Sequence, residues 1–138
     1  MGTSASKYHN TKVIIDGIKF DSKVEASRWS ELVMLTKAGK IRDLKRQVRI
    51  VLQPRFKTAG DILDGTISIR AIEYVADFTY EEWKDKTGFT LDGRVIPPFW
   101  QFMIEDRKGM RTKDYILKKK MLLYKIATGE IIGKFVES

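Results

Sequence analysis

The sequence predicts a mixed α/β (α+β) fold: a β-hairpin, a helix, three strands, a second helix and a last strand. Three observations carry that expectation. Runs rich in Val, Ile, Phe and Tyr, of strand length, are separated by turn residues. Two stretches of helical length open on a hydroxyl N-cap and close on glycine. The chain has 138 residues, 43% of them hydrophobic, enough for a single core without covalent staples.

Residues 1–10 read as a flexible lead, which leaves 11–138 as one domain. Val13-Ile14-Ile15 and Ile18-Lys19-Phe20 flank Asp16-Gly17, the dipeptide that favours a two-residue hairpin turn. Ser22 is a good N-cap with Glu25 three residues on, and Gly39 stands at the C′ position of the helix between them. Residues 44–52 read as a strand stopped by Gln53-Pro54, and 57–66, with Gly60 and Asp64-Gly65, as a loop or hairpin tip. A long β run covers 67–80, and 81–98 form a polar, turn-rich excursion. Residues 99–107 make a further strand. Thr112 caps a helix to about Ala127, Gly129 stops it, and 130–136 form the last strand.

Composition excludes much of chemistry. There is no cysteine and one histidine, His9, so disulfides, thiolate zinc sites, cysteine nucleophiles and multi-histidine metal centres are ruled out. His9 itself reads as a surface residue. No apolar run approaches the length needed to span a bilayer, and the polar start lacks a secretory core. The expectation is a soluble, cytoplasmic protein whose chemistry runs on carboxylates, lysine and hydroxyls.

The net charge is +8, unevenly spread. Residues 40–57 hold seven Lys/Arg against one acid, and 105–125 hold eight against three. Between them, 58–104 hold four against eight. Such blocks suit a solvated surface as well as a polyanion partner, and carboxylates placed between them decide which reading is better.

Three acids stand where apolar residues are expected. In Phe102-Met103-Ile104-Glu105-Asp106-Arg107-Lys108, alternation puts Phe102, Ile104, Asp106 and Lys108 on one side. Asp77 interrupts the apolar run Tyr74-Val75-Ala76-Asp77-Phe78. A buried acid is costly unless it is paired, hydrogen-bonded or bound to a cation. If the two strands are neighbours, Asp77 and Asp106 converge on one magnesium-type site. Glu25 has two readings. It fits the capping box, yet at about 100° per residue it falls in the middle of the arc formed by Val24, Trp29, Leu32, Val33 and Leu35, which points it inward.

An acid on the first helix, an acid in a strand and D-x-K on the next strand resemble the PD-(D/E)XK nuclease superfamily. At the level of whole segments the chain is similar to a family of small phage endonucleases of the Holliday junction resolvase type. The matching stretches are Lys7-Tyr8-His9-Asn10, Asp16-Gly17-Ile18-Lys19-Phe20-Asp21-Ser22-Lys23, Leu52-Gln53-Pro54, Tyr74-Val75-Ala76-Asp77-Phe78 and Glu105-Asp106-Arg107-Lys108-Gly109. The motif departs at Ala76, where proline precedes the acid in the name-giving pattern.

This resemblance implies a restriction-endonuclease-like αβββαβ core, a mixed central sheet flanked by helices, and metal-dependent hydrolysis of DNA phosphodiesters. By it, Asp77, Asp106 and Glu25 hold Mg²⁺ (with Mn²⁺ as a substitute), and Lys108 orients or deprotonates the attacking water. Lys45, Arg46 and Arg49 precede the acid pair, and Arg111, Lys113, Lys118, Lys119, Lys120 and Lys125 follow it; both sets are candidates for gripping DNA phosphates. Gln53 is a candidate for orienting a ligand or water, and equally a plain strand-end glutamine. Branched DNA is the expected partner and a homodimer the expected form, with Trp83, Ile96, Phe99 and Trp100 as interface candidates. A partner-directed or end-processing, transposase-like nuclease and a non-catalytic nucleic-acid-binding module remain as alternatives.

Overall fold

Local signals for caps and turns govern the computed structural model, which describes residues 12–15, 17–60, 65–85, 88–107 and 111–138. Strands β1 (Val13–Ile15) and β2 (Ile18–Phe20) pair antiparallel, Val13 opposite Phe20 and Ile15 opposite Ile18. Helix α1 (Lys23–Lys37) starts where Ser22 Oγ accepts the Glu25 N–H at 3.1 Å. It ends as Gly39 N–H donates to Thr36 O and Lys40 N–H to Leu35 O. Gly39 has φ +75°, which makes glycine the favoured residue there. Helix α2 (Lys113–Ala127) repeats the design with Thr112 Oγ1 accepting the Tyr115 N–H and Gly129 at φ +80°.

The long strands are β3 (Ile41–Gln53), β6 (Ile72–Lys84) and β9 (Phe99–Asp106), with the short β10 (Lys134–Glu137) after α2. They form a mixed four-stranded sheet in the order β10-β9-β6-β3, β10 running parallel to β9. Helix α1, three long strands, helix α2 and β10 follow one another in the expected αβββαβ sequence.

Three differences from the sequence reading have local causes. Residues 56–59 (β4, Phe56–Ala59) and 66–69 (β5, Thr66–Ile69) form an antiparallel hairpin, so strands occupy much of 57–66, where a loop or hairpin tip is expected. The expected 67–80 run is thereby broken at Arg70-Ala71, and β6 extends to Lys84 before the small β7 (Gly88–Phe89) and β8 (Val95–Ile96) hairpin. Strand β3 starts earlier, at Ile41, and carries left-handed φ at Asp43 (+55°) and Gln47 (+52°). Such residues inside a strand mark bulged backbone, which conceals a strand from a strict period-2 reading.

The chain divides into two compact units, residues 1–44 with 80–100 and residues 45–79 with 101–138. In the first, α1 contacts β1 and β2, the buried residues include Phe20, Ala26, Leu32, Ile41 and Tyr80, and the Phe20 and Trp29 rings lie 6.0 Å apart. Val24, expected on the apolar arc, is instead 52% exposed, so the inward arc centres on Glu25, Ala26 and Leu32. In the second, Leu52, Tyr74, Ala76, Ile104 and Leu122 form a buried core against which Phe102, Tyr115, Met121, Ile126 and Phe135 pack. Each fully buried large side chain contributes about 1.5–3 kcal/mol. Among the described residues, no helix is long and apolar enough to cross a membrane.

Candidate active site

The sheet brings Asp77 of β6 and Asp106 of β9 together as neighbours. Asp106 is fully buried and Asp77 is 6% exposed. Their carboxylates interlock with opposite strands: the Asp77 N–H donates to Asp106 Oδ1 at 2.9 Å, and the Arg107 N–H donates to Asp77 Oδ2 at 2.8 Å. Hydrogen bonds from backbone N–H groups fix the orientation of a carboxylate. An ionised carboxylate has about four lone-pair sites, so it can accept several donors and a cation together.

The strand end bearing Asp106 is held from its other side. Ser138 N–H and Oγ both donate to the Asp106 carbonyl, at 2.9 and 3.4 Å, and Glu137 sits opposite Asp106 in the β9–β10 register. The Glu137 carboxylate accepts hydrogen bonds from the Tyr115 hydroxyl, from Arg111 at 2.5 Å and from Lys119 at 3.2 Å. The Tyr115 hydrogen bond, together with Lys119, holds the Glu137 carboxyl below its ordinary range. Burial, the same hydrogen bond and the nearby Asp106 charge push the Tyr115 phenol well above its ordinary value. Glu105, the acid beside Asp106 that alternation sends to the opposite face, is also fully buried.

A magnesium ion takes one or two protein carboxylates together with waters and phosphate oxygens, and the donor set of Asp77 and Asp106 fits that description. Among the described residues no three His, Asp or Glu side chains are grouped to hold a metal. Glu25, 8% exposed, belongs to the first unit, where its backbone N–H completes the Ser22 cap. Lys108 and His9 lie outside the described residues. Gln53 is half-buried at the end of β3.

The basic residues sort by partner. Arg49 pairs with Glu73 at 3.3 Å, Lys118 with Asp114 at 3.3 Å and Lys125 with Glu130 at 2.8 Å, while Arg111 and Lys119 share Glu137. Lys45, Lys113 and Lys120 are exposed, and Arg46 is half-buried. In the first unit the Trp83 and Trp100 rings lie 5.2 Å apart, and the Arg42 guanidinium sits 4.1 Å over Trp100 while bonding Glu81. Trp83 and Phe99 are exposed, at 41% and 43%.

Residues 5–135 match the model of a family described as a protein of unknown function, DUF1064. The chain belongs to this family. No curated protein and no solved structure matches the chain. For this DUF1064 member, then, the site speaks through its own residues. Tyr115, Glu137 and Ser138 around Asp106 escape a sequence reading, because the parallel register of β10 on β9 leaves no local signal.

Proposed function

We propose that this chain is a metal-dependent DNA endonuclease of the PD-(D/E)XK type, acting most readily on branched DNA. The observation that supports it best is the buried, mutually oriented pair of Asp77 and Asp106 on adjacent strands. Burying two like charges side by side is unfavourable unless a cation or donors compensate. A divalent ion held by both carboxylates would complete that balance.

In this reading Asp77 and Asp106 hold the ion. The ion supplies charge neutralisation at the phosphate and lowers the pKa of water. Lys108, two residues beyond Asp106, orients the attacking water and offsets charge that develops on the phosphate. Lys45, Arg46, Lys113 and Lys120 supply sequence-independent phosphate contacts. Two nicks in a four-way junction are related by a two-fold axis, so one site per chain calls for a C2 homodimer. The exposed apolar residues of the 83–100 stretch, Trp83, Ile96 and Phe99, with Trp100 beside them, are its interface candidates.

A second reading has its own observation. Each carboxylate also clasps a backbone N–H of the opposite strand, a structural task that a non-catalytic nucleic-acid-binding module would retain. Incubation of supercoiled plasmid and of a synthetic junction with Mg²⁺ or Mn²⁺ separates the two. The nuclease reading expects cleavage that EDTA stops and that Asp77→Asn and Asp106→Asn each reduce at least about 10²-fold. Binding without cleavage under every metal supports the module.

A further inference from the structure

We propose that the β4–β5 hairpin is a nucleic-acid-binding arm whose basic face, formed by Arg55, Lys57 and Arg70, contacts the phosphate backbone of a duplex. The assignment rests on the nuclease reading only for the identity of the polyanion. Its register sorts the ribbon. Phe56 pairs with Ile69, Lys57 with Ser68, Thr58 with Ile67 and Ala59 with Thr66. Directly opposed residues share a face and faces alternate along each strand. Phe56, Thr58, Ile67 and Ile69 therefore form one face, and Lys57, Ala59, Thr66 and Ser68 the other.

Two flanking arginines extend the second face. Arg55 Nε donates to Ser68 Oγ at 2.9 Å, which brings its guanidinium to the Lys57 side. Arg70 follows Ile69 and alternates to the same side. Every residue of β4 and all but Ile69 of β5 are exposed, as are Arg55 and Arg70, so both faces of the ribbon stand open.

Charge availability supports this arm, as it does the exposed Lys113, Lys120 and Lys134 of the same unit, and the hairpin register gathers its three cations on one face. Arg49, Arg111, Lys118 and Lys119 in the same unit are each engaged by a carboxylate. Among the described residues, Arg55, Lys57 and Arg70 have no carboxylate partner. A cation already held by an acid must give up that pair to meet a phosphate, whereas these three meet it at full charge. Two cations two residues apart on a strand stand about 7 Å apart, and a duplex presents one phosphate charge per about 1.7 Å of axis. A two-stranded ribbon is also of a width that the major groove admits.

The test compares the wild-type chain with Arg55→Ala/Lys57→Ala/Arg70→Ala and with the charge-preserving Arg55→Lys/Lys57→Arg/Arg70→Lys. Fluorescence anisotropy on a labelled duplex and a labelled junction, in EDTA and across a salt series, gives affinity and salt slope. The alanine triple should bind at least about tenfold more weakly at about 50 mM salt and lose about 2–3 from the slope of log K against log salt. The charge-preserving triple should bind like wild type. Should the alanine triple fail to fold by circular dichroism, Lys57→Glu alone reads the same contrast with a smaller loss. Unchanged affinity and slope in the alanine triple overturn the arm. So does equal loss in both triples, or an arm-dependent binding seen only on phosphatidylserine vesicles and not on DNA. Magnesium-dependent cleavage is read on the same preparations. Cleavage with an arm-independent affinity sinks the arm alone, and arm-dependent binding with no cleavage in wild type sinks the nuclease reading alone.

Discussion

Two backbone N–H groups fix the carboxylates of Asp77 and Asp106, and this makes their substitutions separable. Asp77→Ala removes the acceptor of the Arg107 N–H and should lower stability by about 1–3 kcal/mol. Asp77→Asn keeps an acceptor oxygen, so urea unfolding should find it closer to wild type even where cleavage is lost. Equal stability of the two variants would remove the clasp. Glu137 and Tyr115 give a pH signature of opposite sign at the two ends of the scale. The Glu137 carboxyl is lowered from 4.5 in the folded chain, so its contribution is present above that value and lost as pH falls through the folded value. The Tyr115 phenol is raised from 10.0, so stability falls as pH climbs above 10 while the unfolded phenol ionises first. Tyr115→Phe should blunt both losses in thermal unfolding followed against pH. An unchanged profile would show that the pair does not contribute.

At the scale of elements, the join of α2 to the sheet depends on Gly133. A Cβ there would stand 2.9 Å from Phe102 Cδ2 and 3.4 Å from the Phe102 carbonyl. Gly133→Ala should cost about 1–3 kcal/mol through overpacking against β9, measurable by urea unfolding; a stabilised variant would contradict this packing. Helix limits were legible because Ser22, Thr112, Gly39 and Gly129 act locally, through single hydrogen bonds and a left-handed φ. Glu25 was legible as an inward residue for a related reason: helical period alone places it, although Val24 on the same arc turned out exposed. Of hairpin β4–β5, residues 67–69 were legible as part of a β run, whereas β4, exposed along its whole length, was not. The early start of β3 was hidden by Asp43, whose left-handed φ breaks the period that a strand reading relies on, whereas 44–52 was read as a strand.

Across the whole molecule, the partnership of Asp77 with Asp106 was foreseeable from two acids in apolar strands, but its tightness was not. That tightness comes from β6 and β9 being sheet neighbours, a tertiary fact. The basic blocks were visible as charge, yet some of their carboxylate partners arise from contacts far apart in sequence, such as Arg111 and Lys119 with Glu137. Replacing Lys118, Lys119 and Lys120 by alanine should therefore flatten the salt dependence of DNA binding less than the arm triple does, because two of the three are already paired. A larger change from the helix triple would put the DNA on α2 instead. The central claim is that Asp77 and Asp106 cut DNA with a divalent metal. Its most direct test is a four-way junction and a linear duplex of the same sequence, incubated with Mg²⁺ and the wild-type, Asp77→Asn or Asp106→Asn chain. Paired nicks in the junction by the wild type, absent with EDTA and in both variants, is the predicted result; no cleavage of any DNA under Mg²⁺ or Mn²⁺, or full cleavage by either variant, would contradict it.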